Sequence, residues 1–120
     1  MIIHTGARRS GKTTKAILLA NSTKALMIVH SEEMAKYIRR QSEEMGYPVD
    51  VMGVQHYLNH RQGFRDQKLV IDEMDMVLRQ VFRTDVIMGT TTGVSINDLD
   101  LEYEERIEDK LLKCTKPHSN

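Results

Sequence analysis

Apolar positions along the chain fall into two rhythms. Residues 1–5 (MIIHT), 25–30 (ALMIVH), 49–54 (VDVMGV), 68–72 (KLVID) and 84–88 (TDVIM) are short apolar runs, each giving way to Gly, Ser or a polar stretch. Runs of this length predict strands, and strands that are apolar throughout belong in a parallel sheet covered on both faces. Between the first two, residues 12–21 (KTTKAILLAN) predict a helix whose apolar run implies burial between the sheet and its neighbours. Ser31 is a good N-cap for a second helix, with Glu32 and Glu33 in the first turn, where carboxylates complement the positive end of the helix dipole. Met34, Ile38, Gln41 and Met45 then share one nearly apolar face, and Gly46, followed by Pro48, stops the helix. The polar stretch 55–67 has room for a short helix. After Gly93 the pattern changes: 97–102 is acidic, 104–114 predicts a last helix with Tyr103, Ile107 and Leu111 spaced by four, and 116–120 is a frayed tail. Strands alternating with helices predict an α/β fold with a mainly parallel five-stranded sheet, whose ligands bind at the carboxyl ends of the strands.

Composition narrows the class. With 120 residues, 13.8 kDa and 40% hydrophobic residues, the chain has the mass for a single domain, its core at 1–93 and an acidic helical segment at 97–114. Net charge is zero, but residues 1–97 carry 13 basic and 10 acidic side chains and residues 98–120 carry 4 and 7. That mild polarity is smaller than the basic footprint usual for nucleic-acid binding, and it leaves room for a local phosphate-contacting patch. Cys114, the one cysteine, excludes an internal disulfide and a cysteine-based zinc site and fits a reducing cytosol. Apolar residues 1–3 are too few for a signal peptide, and no run approaches the ~18 residues of a membrane span. A soluble, cytoplasmic protein without membrane partners is expected.

The chemistry concentrates at two strand ends. Gly6-Ala-Arg-Arg-Ser-Gly-Lys-Thr13 fits the G-x-x-x-x-G-K-[ST] phosphate-binding loop in full, between a strand and a helix. In such a loop the backbone N–H groups of Gly6, Ala7, Arg8, Arg9, Ser10 and Gly11 turn toward phosphate oxygens, and the helix opening at Lys12, Thr13 and Thr14 adds its positive end. Lys12 would reach the β- and γ-phosphates, and the Thr13 hydroxyl would bind magnesium. The second strand end is Leu69-Val-Ile-Asp-Glu73. Asp72 would hold the magnesium through water, and Glu73 would orient and deprotonate an attacking water.

Other positions admit two readings. The turn Gly89-Thr-Thr-Thr-Gly93 either senses the γ-phosphate through a hydroxyl such as that of Thr90 or is a plain Thr/Gly loop. Arg8 and Arg9 either neutralise charge on the transferring phosphoryl group or face solvent as variable loop positions. Arg79 and Arg83 read first as a solvated helix face, second as groups acting on a neighbouring subunit's nucleotide. Asp75 reads as a helix cap or first-turn acid. His56 and His60 have metal-compatible spacing without a third ligand and read as ordinary histidines.

With these motifs in place, the chain resembles the additional-strand, catalytic-glutamate branch of P-loop ATPases, most of all helicase-like and viral large-terminase ATPase domains. Arg8 stands four residues before the lysine, as in many terminase loops; Asp72 and Glu73 match the acidic strand end, and Thr90–Thr92 match the coupling motif. The resemblance spans about residues 1–93. It implies a three-layer α/β/α fold, ATP and Mg2+ as cofactors, and hydrolysis catalysed by Glu73, Lys12 and Arg8. It also implies a coupled task on DNA such as packaging, carried out by a homo-oligomer or larger complex, in the host cytoplasm if the chain is viral. The chain departs from the family in lacking adenine-reading residues before the first strand, a nuclease domain and a second motor domain. Two alternatives stand beside it. Thymidine kinases also pair such a loop with an Asp-Glu strand end, although their zinc-binding cysteines and arginine-rich lid have no counterpart here. A non-hydrolysing nucleotide-dependent regulator, acting through the acidic C-terminal helix, is the other.

Overall fold

The computed structural model describes residues 1–7, 11–64 and 66–98. In chain order its elements are β1 (Ile2–Thr5), α1 (Lys12–Thr23), β2 (Leu26–Val29), α2 (Glu32–Met45), β3 (Val51–Gly53), α3 (Val54–His60), a 3-10 turn (Arg61–Phe64), β4 (Leu69–Ile71), α4 (Met74–Phe82) and β5 (Ser95–Asp98). The described residues group into two compact units, one within 13–90 and the other within 1–12 and 91–98.

The 13–90 unit is organised on β2. Its four residues are apolar and none is more than 2% exposed. β3 and β4 flank it, both parallel, in the order β3-β2-β4. Alternate side chains of a strand point to opposite faces, so β2 serves two cores. Met27 and Val29 pack with Ile17 and Ala20 of α1, Ala35 and Ile38 of α2, and Val51. Leu26 and Ile28 pack with Val54 of α3 and Val77 of α4. The continuous apolar run therefore signals burial on both sides, as expected of a parallel strand.

Local chemistry sets the helix ends. Ser31 accepts a hydrogen bond from the Met34 N–H at 3.1 Å, satisfying one of the free amides of the first turn of α2. Gly46 closes that helix in the left-handed conformation, with the Tyr47 N–H returning to the Ser42 carbonyl at 2.9 Å. The buried face of α2 is Ala35, Ile38 and Ser42, with Met34 and Met45 packed at its margin. Ser42 is fully buried because its hydroxyl donates to the Arg39 carbonyl at 2.8 Å and accepts from the Val49 N–H at 3.3 Å.

The second unit pairs β1 with β5 in parallel, from Ile2 opposite Ser95 to Thr5 opposite Asp98. Burial of β1 is not observed: Ile2 is 57% exposed and Ile96 64%. Its partner carries Ser95, Asn97 and Asp98, and neither core cluster takes a residue from the pair.

The sheet differs from the expected one. The five described strands form separate sheets of three and two rather than one sheet of five. Residues 84–88 are not a strand: beyond the left-handed Arg83 the chain is irregular, with Ile87 97% and Met88 77% exposed. Three apolar residues carry strand propensity, but a strand exists only once its backbone is paired, and Asp85 is instead drawn to Arg79 at 3.3 Å. Conversely, β5 forms from SIND, a mostly polar segment without a strand-like apolar run. The expected helix at 104–114, its acidic segment from residue 99 and Cys114 lie outside the described residues. Among the described residues no helix is long and apolar enough to cross a membrane.

Candidate functional site

β4 delivers Asp72 to its carboxyl end. The Asp72 N–H donates to the Ile28 carbonyl at 3.1 Å, continuing the ladder one residue past the strand, and the residue is 7% exposed. A carboxylate so buried needs a donor, and Thr13 provides one: its hydroxyl donates to Asp72 Oδ2 at 3.0 Å. The two are 59 positions apart in the chain. Both metal-site residues expected from the motifs are thus in direct contact.

Glu73 follows in the left-handed region, φ 53° and ψ 62°, as the residue before α4. Its carbonyl accepts the Val77 N–H at 3.1 Å, but its exposed side chain makes no capping hydrogen bond. The carboxylate is therefore exposed and not consumed by the helix end. Asp75 lies in the first turn of α4.

Sequence reasoning passed over His30. It follows β2 at the same end of the parallel strands as Asp72 and Glu73, two positions beyond Ile28, the last β2 residue registered with β4. Its Nδ1 is buried with no hydrogen-bond partner among the described residues. An imidazole terminating an otherwise apolar strand was the available signal.

In the other unit, Lys12 folds back over its own loop. Its Nζ donates to the Gly6 carbonyl and to the Ala7 carbonyl, the latter at 2.8 Å. Gly11 has φ 90°, a conformation that side-chain-bearing residues rarely adopt, so the motif's second glycine is required by the backbone. α1 carries no acidic residue of its own in its first turn, where Thr14 is exposed; the carboxylate that meets this helix end is Asp72, through Thr13. Arg8, Arg9 and Ser10 lie outside the described residues.

Other candidates are not brought to the Thr13–Asp72 pair by any described contact. Thr90 is exposed in irregular chain, and the strand expected to deliver it is absent. Arg79 is engaged with Asp85 at the surface, both side chains more than two-thirds exposed, and Arg83 caps α4 through its N–H to the Arg79 carbonyl at 2.8 Å. His56 and His60 stack on α3, ring centroids 4.4 Å apart, with His60 Nδ1 at 3.0 Å from the His56 carbonyl.

Thr13 and Asp72 offer only oxygen, the donor type for a hard divalent cation such as magnesium, which commonly takes one or two protein ligands and completes its shell with water and phosphate. Among the described residues no three His, Cys, Asp or Glu side chains converge as a protein-only metal cage. No family model matches the chain, and no curated protein or solved structure is significantly similar to it.

Proposed function

We propose that this chain is a magnesium-dependent ATP-binding protein that hydrolyses ATP to drive a nucleic-acid task. What carries the proposal is the Thr13–Asp72 hydrogen bond at 3.0 Å: the hydroxyl closing GARRSGKT meets the buried carboxylate at the end of LVID, two motifs recognised independently. A chance match has no reason to bring its closing hydroxyl to that carboxylate. The three-layer P-loop fold is part of the proposal, supported by a parallel sheet with helices packed on both faces.

Magnesium bound at this pair would neutralise charge on the β- and γ-phosphate oxygens. Lys12, already donating to the loop carbonyls of Gly6 and Ala7, has its ammonium poised to exchange those acceptors for phosphate oxygens. Glu73, exposed and uncapped, is positioned in sequence to orient water and take its proton. Arg8 or an arginine from a second copy would stabilise the transferring group, consistent with action as an oligomer or within a larger complex on DNA.

Phosphate release from ATP and GTP, with and without single- and double-stranded DNA, tests this together with equilibrium nucleotide binding. Lys12→Ala is expected to lose binding. Glu73→Gln is expected to bind normally and turn over at least ~100-fold more slowly, the usual contribution of a general base. Wild type that binds neither nucleotide overturns the proposal. Binding without turnover under every condition selects the regulator, and phosphoryl transfer to a nucleoside selects the kinase.

A further inference from the structure

Two adjoining hollows lie on the 13–90 unit where α3 passes through the 3-10 turn toward β4. One, about 620 Å3, is bordered by Arg61 and the His56–His60 pair, and the other, about 540 Å3, by Lys24 and Lys68. Gln62, Gly63 and Phe64 form the ridge shared by both.

The surroundings are built rather than incidental. Phe64 packs against the core and tilts onto Tyr57 at 6.2 Å, anchoring the ridge. Gln67 ties the two lysine-bearing segments together, its side-chain amide donating to the Lys24 carbonyl at 3.1 Å and its N–H to the Phe64 carbonyl at 3.1 Å. The Leu26 N–H donates to the Lys68 carbonyl at 2.9 Å, which fixes Lys68 beside the start of β2. Lys24, Arg61 and Lys68 are all exposed and have no ion-pair partner among the described residues. Asp66 is the one acidic side chain among the described residues bordering either hollow. Beside Arg61, His56 and His60 are both exposed, their imidazoles stacked on each other.

We propose that this double hollow is a track for single-stranded nucleic acid. Free cations following a groove, beside rings on which a base can stack, are the elements of sequence-tolerant single-strand binding. Phosphates would lie at Lys24, Arg61 and Lys68, with a base against the imidazole pair. Small hollows divided by a ridge suit splayed bases, whereas a duplex keeps its bases stacked inside. An acidic peptide would satisfy the cations but leave the rings unused. The inference deepens the nucleic-acid side of the function proposed above and rests on it for its purpose, but the binding itself needs no nucleotide.

The test is fluorescence anisotropy of a labelled oligothymidylate with the full chain, without nucleotide, across a salt series. Three phosphate contacts predict a log–log salt slope of about −2 for wild type, and Arg61→Gln with Lys68→Gln removes about 1.4 of it and at least tenfold in affinity. His60→Ala is expected to weaken binding several-fold with the slope unchanged, the mark of lost stacking. Arg40→Gln, on the helix packed against the opposite face of β2, leaves binding unchanged. Thermal melting of each variant and MgATP binding by the double variant, both expected to match wild type, separate a lost track from a lost fold. The proposal is overturned if wild type does not bind the oligonucleotide, if the double variant binds it as well as wild type, or if polyglutamate competes as strongly as unlabelled oligothymidylate. Oligonucleotide binding by a chain that binds no ATP would remove the ATPase reading and leave the track standing.

Discussion

Glu73 holds its carboxylate on a backbone that glycine adopts more readily. A side chain at φ 53° costs about 1–2 kcal/mol through the approach of Cβ to the carbonyl oxygen. Strain of this kind persists where surrounding structure enforces it, and here it falls on the proposed water-activating residue. Glu73→Gly relieves the steric cost but gives the unfolded chain more freedom, worth about 0.5–1 kcal/mol. The expected net effect is a gain of about 0.5 kcal/mol in urea denaturation, from these opposing terms, together with loss of turnover. Glu73→Gln should also lose turnover, with stability unchanged within about 0.5 kcal/mol. A glycine variant less stable than wild type would mean that the side chain supports the fold, and the strain account would fall. The Thr13–Asp72 meeting was legible in the sequence to the extent that the phosphate-loop pattern and the acidic pair both follow short apolar runs, whose carboxyl ends converge in a parallel sheet. The left-handed backbone at Glu73 was not, since nothing in its identity marks it, and His30 was marked only by being the one polar residue at the end of an apolar run.

Elements approach closely where β3 turns into α3. The Gly53 N–H donates to Glu32 Oε1 at 2.8 Å, so the first residue of α2 receives the end of a neighbouring strand. A Cβ on Gly53 would stand 2.9 Å from the Glu32 nitrogen and 2.9 Å from the Ser31 carbonyl carbon. Both are backbone atoms at the start of a capped helix, so the strain cannot be relieved by rotating a side chain. Gly53→Ala is expected to cost about 1–3 kcal/mol, as overpacking does elsewhere, read as a lower melting temperature. An alanine variant melting with wild type would show that the junction has slack. The glycine was legible only as a residue within strand 49–54; the close approach depends on a residue 21 positions away. Helices α1 and α2 and strand β2 were legible because propensity, capping and periodicity agree there. The segments 84–88 and 95–98 exchanged roles because strand formation depends on a pairing partner, which local composition does not encode.

Over the whole chain, order should follow burial. β2 is bonded on both sides, the Leu26 N–H to the Lys68 carbonyl and the Met27 N–H to the Asp50 carbonyl, each at 2.9 Å. Opening it exposes both core clusters at once, so its amides should exchange only with global unfolding. β1 has a single described partner and an exposed Ile2, and should exchange faster by local opening. Residues 84–90 are all exposed and outside any helix or strand, so their amides are expected to exchange without protection. Native-state hydrogen exchange reads all three classes in one experiment. Protection at residues 85–88 approaching that of β2 would be the informative failure: the apolar run DVIM would then be paired in solution. The free edge of β4, where Leu69 is 39% and Ile71 43% exposed, is the partner available to it within the same unit. The chain from Ile71 to Thr84 carries α4, packed on the sheet through Val77, and is long enough for the right-handed crossover that such pairing requires. The same spectra, repeated with MgATP, would show whether ligand recruits that strand or whether it is already in place.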